Sequence, residues 1–356
     1  MLRRIPRKLV LLVLLALVVF LLPTWWLRIW LPRQGGVPTP ATAASQPAAD
    51  ALYRQALALA ASQPLDALPL LDSVIAAQGV EAAAAASLRQ GIQNGRRGGD
   101  PAYLLAASGQ ALAALGEWPA ARQAFLAAVA ANPDFAEAWA YLGEALQQNG
   151  QDGLAALQQA EQLDPNSLAL RLFFALYWQR QGDYARAEQN LRIAALHHPQ
   201  NPMVQMQLAE NAVLTGDTTA ALPYLQRALE LAPHDPAVWR AVAAYSVESA
   251  LFVEEVGLPT LERLAAEQPD SADTLVLSAR ALALLRREAE AEAYFQRALE
   301  LDDANVAAHV YFGIFLLADR RYEAARQHLN QVLALEPAGP RAELAAYWLA
   351  QMATTP

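Results

Sequence analysis

The feature that most constrains this chain is a repeat. GDYARAEQNLRIAALHHP (182–199) and GEWPAARQAFLAAVAANP (116–133) both open on Gly, an acid and an aromatic residue. Both then place Ala at the sixth and thirteenth positions, a large apolar residue at the tenth and Pro at the eighteenth. A period of about 34 residues, found before any other assignment of fold, signals stacked supersecondary units. Seven units appear, beginning near residues 102, 136, 168, 202, 236, 272 and 306. Each reads as two helices joined by a short turn.

The repeated residue types have a physical reading. A small residue recurs in the first helix: Gly109, Gly143, Ala175, Ala209, Ala243, Ala279 and Gly313. Another recurs in the second: Ala121, Gly153, Ala187, Ala221, Gly257, Ala291 and Ala325. Antiparallel helices approach closely only where no large side chain intervenes, so these positions predict the crossing points. Four residues later a large apolar residue always follows: Phe125, Leu157, Leu191, Leu225, Leu261, Phe295 and Leu329. It lies on the same helix face and is expected to fill the groove beside the crossing. Pro closes six units, at 133, 165, 199, 233, 269 and 337, because it removes a donor and biases its predecessor toward extended backbone. A helix pair cannot bury its apolar faces alone, so the units are expected to stack. The second unit is two residues short between Gly150 and Pro165, and the fifth is two long around YSVESALFVEEVGLP, so local bends are expected there.

This pattern resembles the tetratricopeptide repeat family. AWAYLGEAL (138–146) carries the family's Trp, Leu, Gly and Leu positions, and GDYARAEQNLRIAALHHP carries its Gly-Asp-Tyr, Ala, Leu, Ala and Pro. The resemblance covers residues 101–340 and implies an all-α, right-handed α-solenoid of about seven helix pairs. Before it, residues 50–100 form a divergent helical segment. Ala56, Ala67 and Leu71 suit a degenerate unit, VEAAAAASLRQGIQNG suits one extra helix, and RRGGD reads as a break. After it, residues 341–356 suggest a capping helix and tail that cover the last exposed core face.

The N-terminus reads as a membrane anchor. A basic head (1–8) precedes LVLLVLLALVVFLLPTWWL, whose 19 residues (9–27) carry no charge. At 1.5 Å per residue this length nearly crosses a hydrocarbon core of roughly 30 Å. Trp25, Trp26, Arg28 and Trp30 suit the interface, so the expected span is 9–31. A cleaved signal peptide is the competing reading, but its nearest small-x-small site, Ala41-Thr42-Ala43, lies far beyond the apolar run. Four basic side chains precede the span and two follow it, which puts the N-terminus in the cytoplasm and the body outside. Residues 32–49, rich in Pro, Ala and Thr, read as a tether.

Composition narrows the chemistry. Arg3, Arg4, Arg7, Lys8, Arg28 and Arg33 take six of the 26 Lys and Arg residues, leaving 20 basic residues against 35 acidic ones. A body with a balance of −15 repels phosphate backbones, so no nucleic-acid partner is expected. With no cysteine, disulfides, thiolate metal sites and Cys nucleophiles are excluded. Lys8 is the only lysine, which excludes a phosphate-binding loop and a Schiff base in the body. His197, His198, His234, His309 and His328 match no metal-ligand spacing. No catalytic residue, cofactor or metal site is expected, and no enzymatic activity.

The period then places a partner-binding groove on the first helices. Its expected residues are Leu172, Leu176, Met206, Glu210, Val213, Arg240 and Arg280. They form an apolar middle with basic positions further along, suited to an extended peptide or an amphipathic helix. The competing reading is that these side chains simply contact neighbouring first helices. Some chaperone-binding relatives grip a C-terminal carboxylate with Lys and Asn at such positions, and this chain has neither there. The expected function is a membrane-anchored scaffold for a protein or peptide partner, supporting assembly of an envelope complex. The resemblance also admits an apocytochrome-binding factor of c-type cytochrome maturation, or a factor in envelope polysaccharide assembly.

Overall fold

The computed structural model describes residues 46–79 and 81–353. They form eighteen α-helices and one π-helical turn, with no strand. The chain divides into two compact units at residue 222, inside the helix α11 (Thr218–Leu231). The N-terminal unit holds α1 (Gln46–Ala60), α2 (Pro64–Ala76), α3 (Ala82–Arg96), α4 (Pro101–Ala114), α5 (Trp118–Ala131), α6 (Ala136–Gln148), α7 (Leu154–Leu163), α8 (Leu168–Arg180), α9 (Tyr184–His197) and α10 (Pro202–Leu214). The C-terminal unit holds α12 (Pro236–Ser249), α13 (Leu258–Glu267), α14 (Ala272–Leu284), α15 (Glu288–Leu301), α16 (Val306–Ala318), α17 (Tyr322–Leu335) and α18 (Pro340–Ala353). The expected anchor, 9–31, and the tether up to residue 45 lie outside the described residues, and α1 begins at Gln46, inside the stretch read as tether. Among the described residues no helix is long and apolar enough to cross a membrane.

The recurring small and large positions are all buried. A Cβ on Gly109 would meet the Phe125 ring at 2.7 Å, and one on Gly143 would meet Leu157 at 2.7 Å. The large residue of the second helix therefore sits on the bare backbone of the first. Repeat two takes this furthest: a Cβ on Gly153 would lie 2.0 Å from the Gly143 carbonyl oxygen. Its second helix, α7, has 10 residues where α9 has 14, which absorbs the two-residue deletion. The insertion in repeat five becomes a π-helical turn, Val253–Gly257, between α12 and α13.

The turn inside each pair has one geometry. Residue 116 and its counterparts 150, 182, 216, 250, 286 and 320 all have positive φ. The following amide donates to the carbonyl five residues back, as from Glu117 to Leu112 (2.9 Å) and from Arg287 to Leu282 (2.9 Å). This closes the helix end by a left-handed residue.

The divergent segment packs by the same rule. A Cβ on Gly91 would meet Ala111 Cβ at 2.5 Å, and one on Gly95 would meet Ala107 Cβ at 2.7 Å. Two small residues four apart on α3 thus cross two on α4. Ser108 Oγ, buried on α4, donates to the Ala60 carbonyl at the end of α1 (2.7 Å). At the other end, α18 lays Ala345 and Trp348 against Val310, Ile314, Leu329 and Val332.

Candidate protein-binding surface

The first helices of consecutive repeats lie side by side, forming one layer in each unit. In four repeats a donor near the helix start ties the first helix to the preceding turn. Trp139 Nε1 donates to the Pro133 carbonyl (2.8 Å), Arg171 Nε to Pro165 (2.7 Å) and Trp239 Nε1 to Ala232 (3.1 Å). His309 Nε2 meets the Asp303 carbonyl at 2.9 Å in the same place. Each satisfies a carbonyl of the turn between repeats that no helix can reach. Sequence reasoning missed this set. The signal was an aromatic or cationic donor at the fourth position of four units.

The expected groove residues fall in both units. In the N-terminal unit Leu176, Met206 and Glu210 are buried, while Leu172 and Val213 are half-buried. Leu176 shares a core cluster with Ala140, Leu170, Phe173 and Tyr177, so its apolar surface already faces neighbouring helices. Period alone tells which face a residue takes, not how closely the next helix approaches. Arg240 and Arg280, in the C-terminal unit, are half-buried.

Several polar groups are buried within the N-terminal layer. Glu144, 1% exposed, receives Arg180 bidentately, with Nη1 on Oε2 at 2.8 Å and Nη2 on Oε1 at 2.6 Å. Gln148 donates to the same carboxylate (2.8 Å), and Gln147 Oε1 accepts from Arg180 (2.9 Å). A buried carboxylate needs such a set of donors, and here they join α6 to α8. Further along, Gln207 donates to Glu210 (2.7 Å) and Gln179 to Asn211 (3.3 Å). Tyr141, half-buried on α6, has its hydroxyl pKa raised to about 12 by burial and by the charge of Glu137.

The C-terminal layer holds its bridging charges at longer range. Arg280 on α14 stands 4.0 Å over the Tyr311 ring of α16 and 3.8 Å from Glu248 on α12. Burial raises the Glu248 carboxyl above its ordinary range, and Arg280 only partly opposes this. Arg240 Nη2 donates to Gln268 (2.6 Å), while its buried Nε has no partner.

The two histidines of the last repeat form a pair. His309 Nδ1 and His328 Nδ1 are 2.9 Å apart. Because His309 Nε2 faces a carbonyl, it carries the hydrogen, so Nδ1 accepts from His328. Burial, with the nearby His309, lowers the His328 pKa to about 4. Arg171 and Asn190 make the corresponding contact in repeat three (2.9 Å). Among the described residues no group of three or more His, Asp or Glu side chains is placed to hold a metal ion.

Stacked helix pairs with closed cores and a polar inner layer define a helical-repeat protein that presents a face. The chain belongs to the tetratricopeptide repeat family: models described as "Tetratricopeptide repeat" match residues 179–245, 286–347 and 255–306, and one described as "TPR repeat" matches 109–150, together more than half of the chain. No curated protein matches the chain. Among solved structures, a tetratricopeptide repeat protein from Parabacteroides merdae matches 71% of this chain and 99% of its own, with 15% identity and a TM-score of 0.51. Yeast Tom70 matches 85% of this chain and 74% of its own, with 17% identity and a TM-score of 0.53. Human IFIT1, solved as a dimer with m7Gppp-AAAA, matches 93% and 85%, with 16% identity and a TM-score of 0.52. At these identities the likeness is one of fold.

Proposed function

We propose that this chain is a non-enzymatic scaffold that binds a protein or peptide segment on its first-helix layer. In this reading residues 9–31 anchor it to a membrane with the N-terminus in the cytoplasm. The repeat body then lies outside and supports assembly of an envelope complex. The observation that carries the binding role is the division of labour within each repeat. The crossing residues are buried in the pairs, and the first helices keep half-buried groups for contact with another molecule, Leu172 and Val213 in the N-terminal unit and Arg240 and Arg280 in the C-terminal unit. The acidic body disfavours nucleic acid as the partner.

The test uses the full chain in detergent. Wild type, Leu172→Glu/Val213→Glu and Leu196→Glu are compared by pull-down and mass spectrometry. Leu196 is 75% exposed on a second helix and serves as the control. A partner lost by the double variant and kept by the control supports the reading. A partner kept by the double variant and lost by the control sinks it. Membrane fractionation with and without residues 1–31 tests the anchor, and unchanged membrane recovery after deletion would refute it.

A further inference from the structure

The turn from α3 into α4 exposes apolar side chains and cations side by side. Leu65, at the start of α2, is 42% exposed, and Tyr103, in the first turn of α4, is 45% exposed. A groove between these two helix starts is lined by Pro64, Leu65, Pro101 and Leu104. Tyr103 flanks the turn itself, since a Cβ on Gly98 would meet its ring at 2.7 Å. Arg96 and Arg97, just before Gly98, are exposed and make no ion pair among the described residues. The acids beside them are held by helix starts: Asp100 accepts from the Ala102 amide (2.8 Å), and Asp66 lies in the first turn of α2. Six later turns, into a first helix or the cap, each carry an acid and no arginine: Asp134, Asp164, Asp235, Asp270, Asp302 and Glu336. The opposite end of the same N-terminal helices is acidic. Asp50, Glu81 and Glu117 gather there, and burial, followed by the charges of Asp50 and Glu117, raises the Glu81 carboxyl above its ordinary range. Residues 32–45, between the expected anchor and α1, reach at most about 46 Å. The helix α1 is about 22 Å long. Either end of these helices is thus within reach of the bilayer, and surface chemistry selects between them.

We propose that this edge, Leu65 and Tyr103 flanked by Arg96 and Arg97, rests on an anionic lipid surface and turns the acidic end of the same helices away from it. The proposal rests on residues 9–31 being the anchor and adds how the body meets the bilayer. Leucine enters the boundary between headgroups and acyl chains, and tyrosine sits at headgroup level. The two arginines gain from the negative surface potential, which repels Asp50, Glu81 and Glu117. The contact weakens as salt rises, because exposed charges are screened.

The chain has no cysteine, so a single introduced cysteine labels one position. Ser62→Cys, beside Leu65, and Ser73→Cys, near the other end of α2, are both exposed and each take an environment-sensitive fluorophore. The full-length variants are reconstituted into vesicles of phosphatidylcholine, with or without phosphatidylglycerol, that contain a nitroxide-labelled lipid as quencher. With phosphatidylglycerol present, the Ser62→Cys label should be quenched several-fold more than the Ser73→Cys label. Adding Arg96→Gln/Arg97→Gln should remove most of that difference, and so should leaving out phosphatidylglycerol. Should the arginine variant melt early, the comparison of the two vesicles decides alone. Equal quenching at the two positions, stronger quenching at Ser73→Cys, or a difference indifferent to phosphatidylglycerol overturns the proposal and leaves the anchor standing. Recovery of the full chain away from the vesicles on flotation overturns the anchor reading as well.

Discussion

At the turn inside each helix pair the N-terminal unit places Gly116, Gly150, Gly182 and Gly216, whereas the C-terminal unit places Ala250, Arg286 and Arg320. All seven residues adopt positive φ. Glycine accepts this geometry freely, and a side chain costs about 1–2 kcal/mol there. The C-terminal turns keep it because the closing hydrogen bonds and the stacked helices leave no alternative. The same contrast runs through the inner layers. The N-terminal unit pairs Glu144 and Arg180 at bonding distance, and the C-terminal unit leaves Glu248 and Arg280 3.8 Å apart. In the pair turns one unit uses glycine and the other uses side chains at positive φ, and only the first closes its bridging ion pair to bonding distance. Strained turns of this kind are kept only where surrounding structure over-determines them.

The largest expected effect sharpens the packing side of this comparison. Gly153→Val drives a side chain into the Gly143 backbone and should cost about 3 kcal/mol or more, read by urea unfolding. Gly79→Ala, with nothing within 4 Å, should change little. Next come the two carboxylates. Glu144→Gln breaks a buried pair and should cost about 3 kcal/mol, while Glu248→Gln should stay within about 0.5 kcal/mol. Equal losses at the two positions would erase the difference between the inner layers.

The histidine pair gives a pH dependence confined to the C-terminal unit. The folded His328 pKa, about 4, lies below its ordinary value, so the unfolded chain takes up the proton first. Stability is therefore full above about pH 6.5 and falls as pH drops toward 4. An enclosed group with this shift would contribute about 3 kcal/mol. His328 is only half-buried and solvent-screened, so about 1 kcal/mol is expected. Melting of wild type and His328→Asn at pH 7.5 and pH 4.5 checks it. The variant should lose less on acidification, and an identical loss would refute the assignment.

The smallest effects address the turns. Arg286→Gly and Arg320→Gly should each stabilise by about 0.5–1 kcal/mol, and Gly182→Ala should destabilise by about 1 kcal/mol. Thermal melting reads both signs. Destabilisation by both glycine substitutions would mean that the arginine side chains hold these turns in place.

Much of the fold was legible because helix crossings are steric. Gly143 and Gly153 announce a close approach through the residue types alone, and Leu157 four residues on fills it. The turns at Ala250, Arg286 and Arg320 were not legible, since the sequence shows no glycine where the backbone needs one. The α3–α4 crossing was hidden because Gly91 and Gly95 fall in a stretch that reads only as one extra helix. The candidate surface was legible only in outline. The period placed Leu176 and Met206 on the first-helix face, yet it carried no information on how nearly adjacent helices enclose them. The pair Glu144–Arg180 escaped because its partners are 36 residues apart and sit at different offsets in successive units.

Binding on the first helices is read by hydrogen exchange of the chain alone and bound to the partner recovered by pull-down. New protection is expected on the first helices α6, α8, α10, α12, α14 and α16. Protection gained instead on the second helices α7, α9, α13, α15 and α17, with the first helices unchanged, would contradict it.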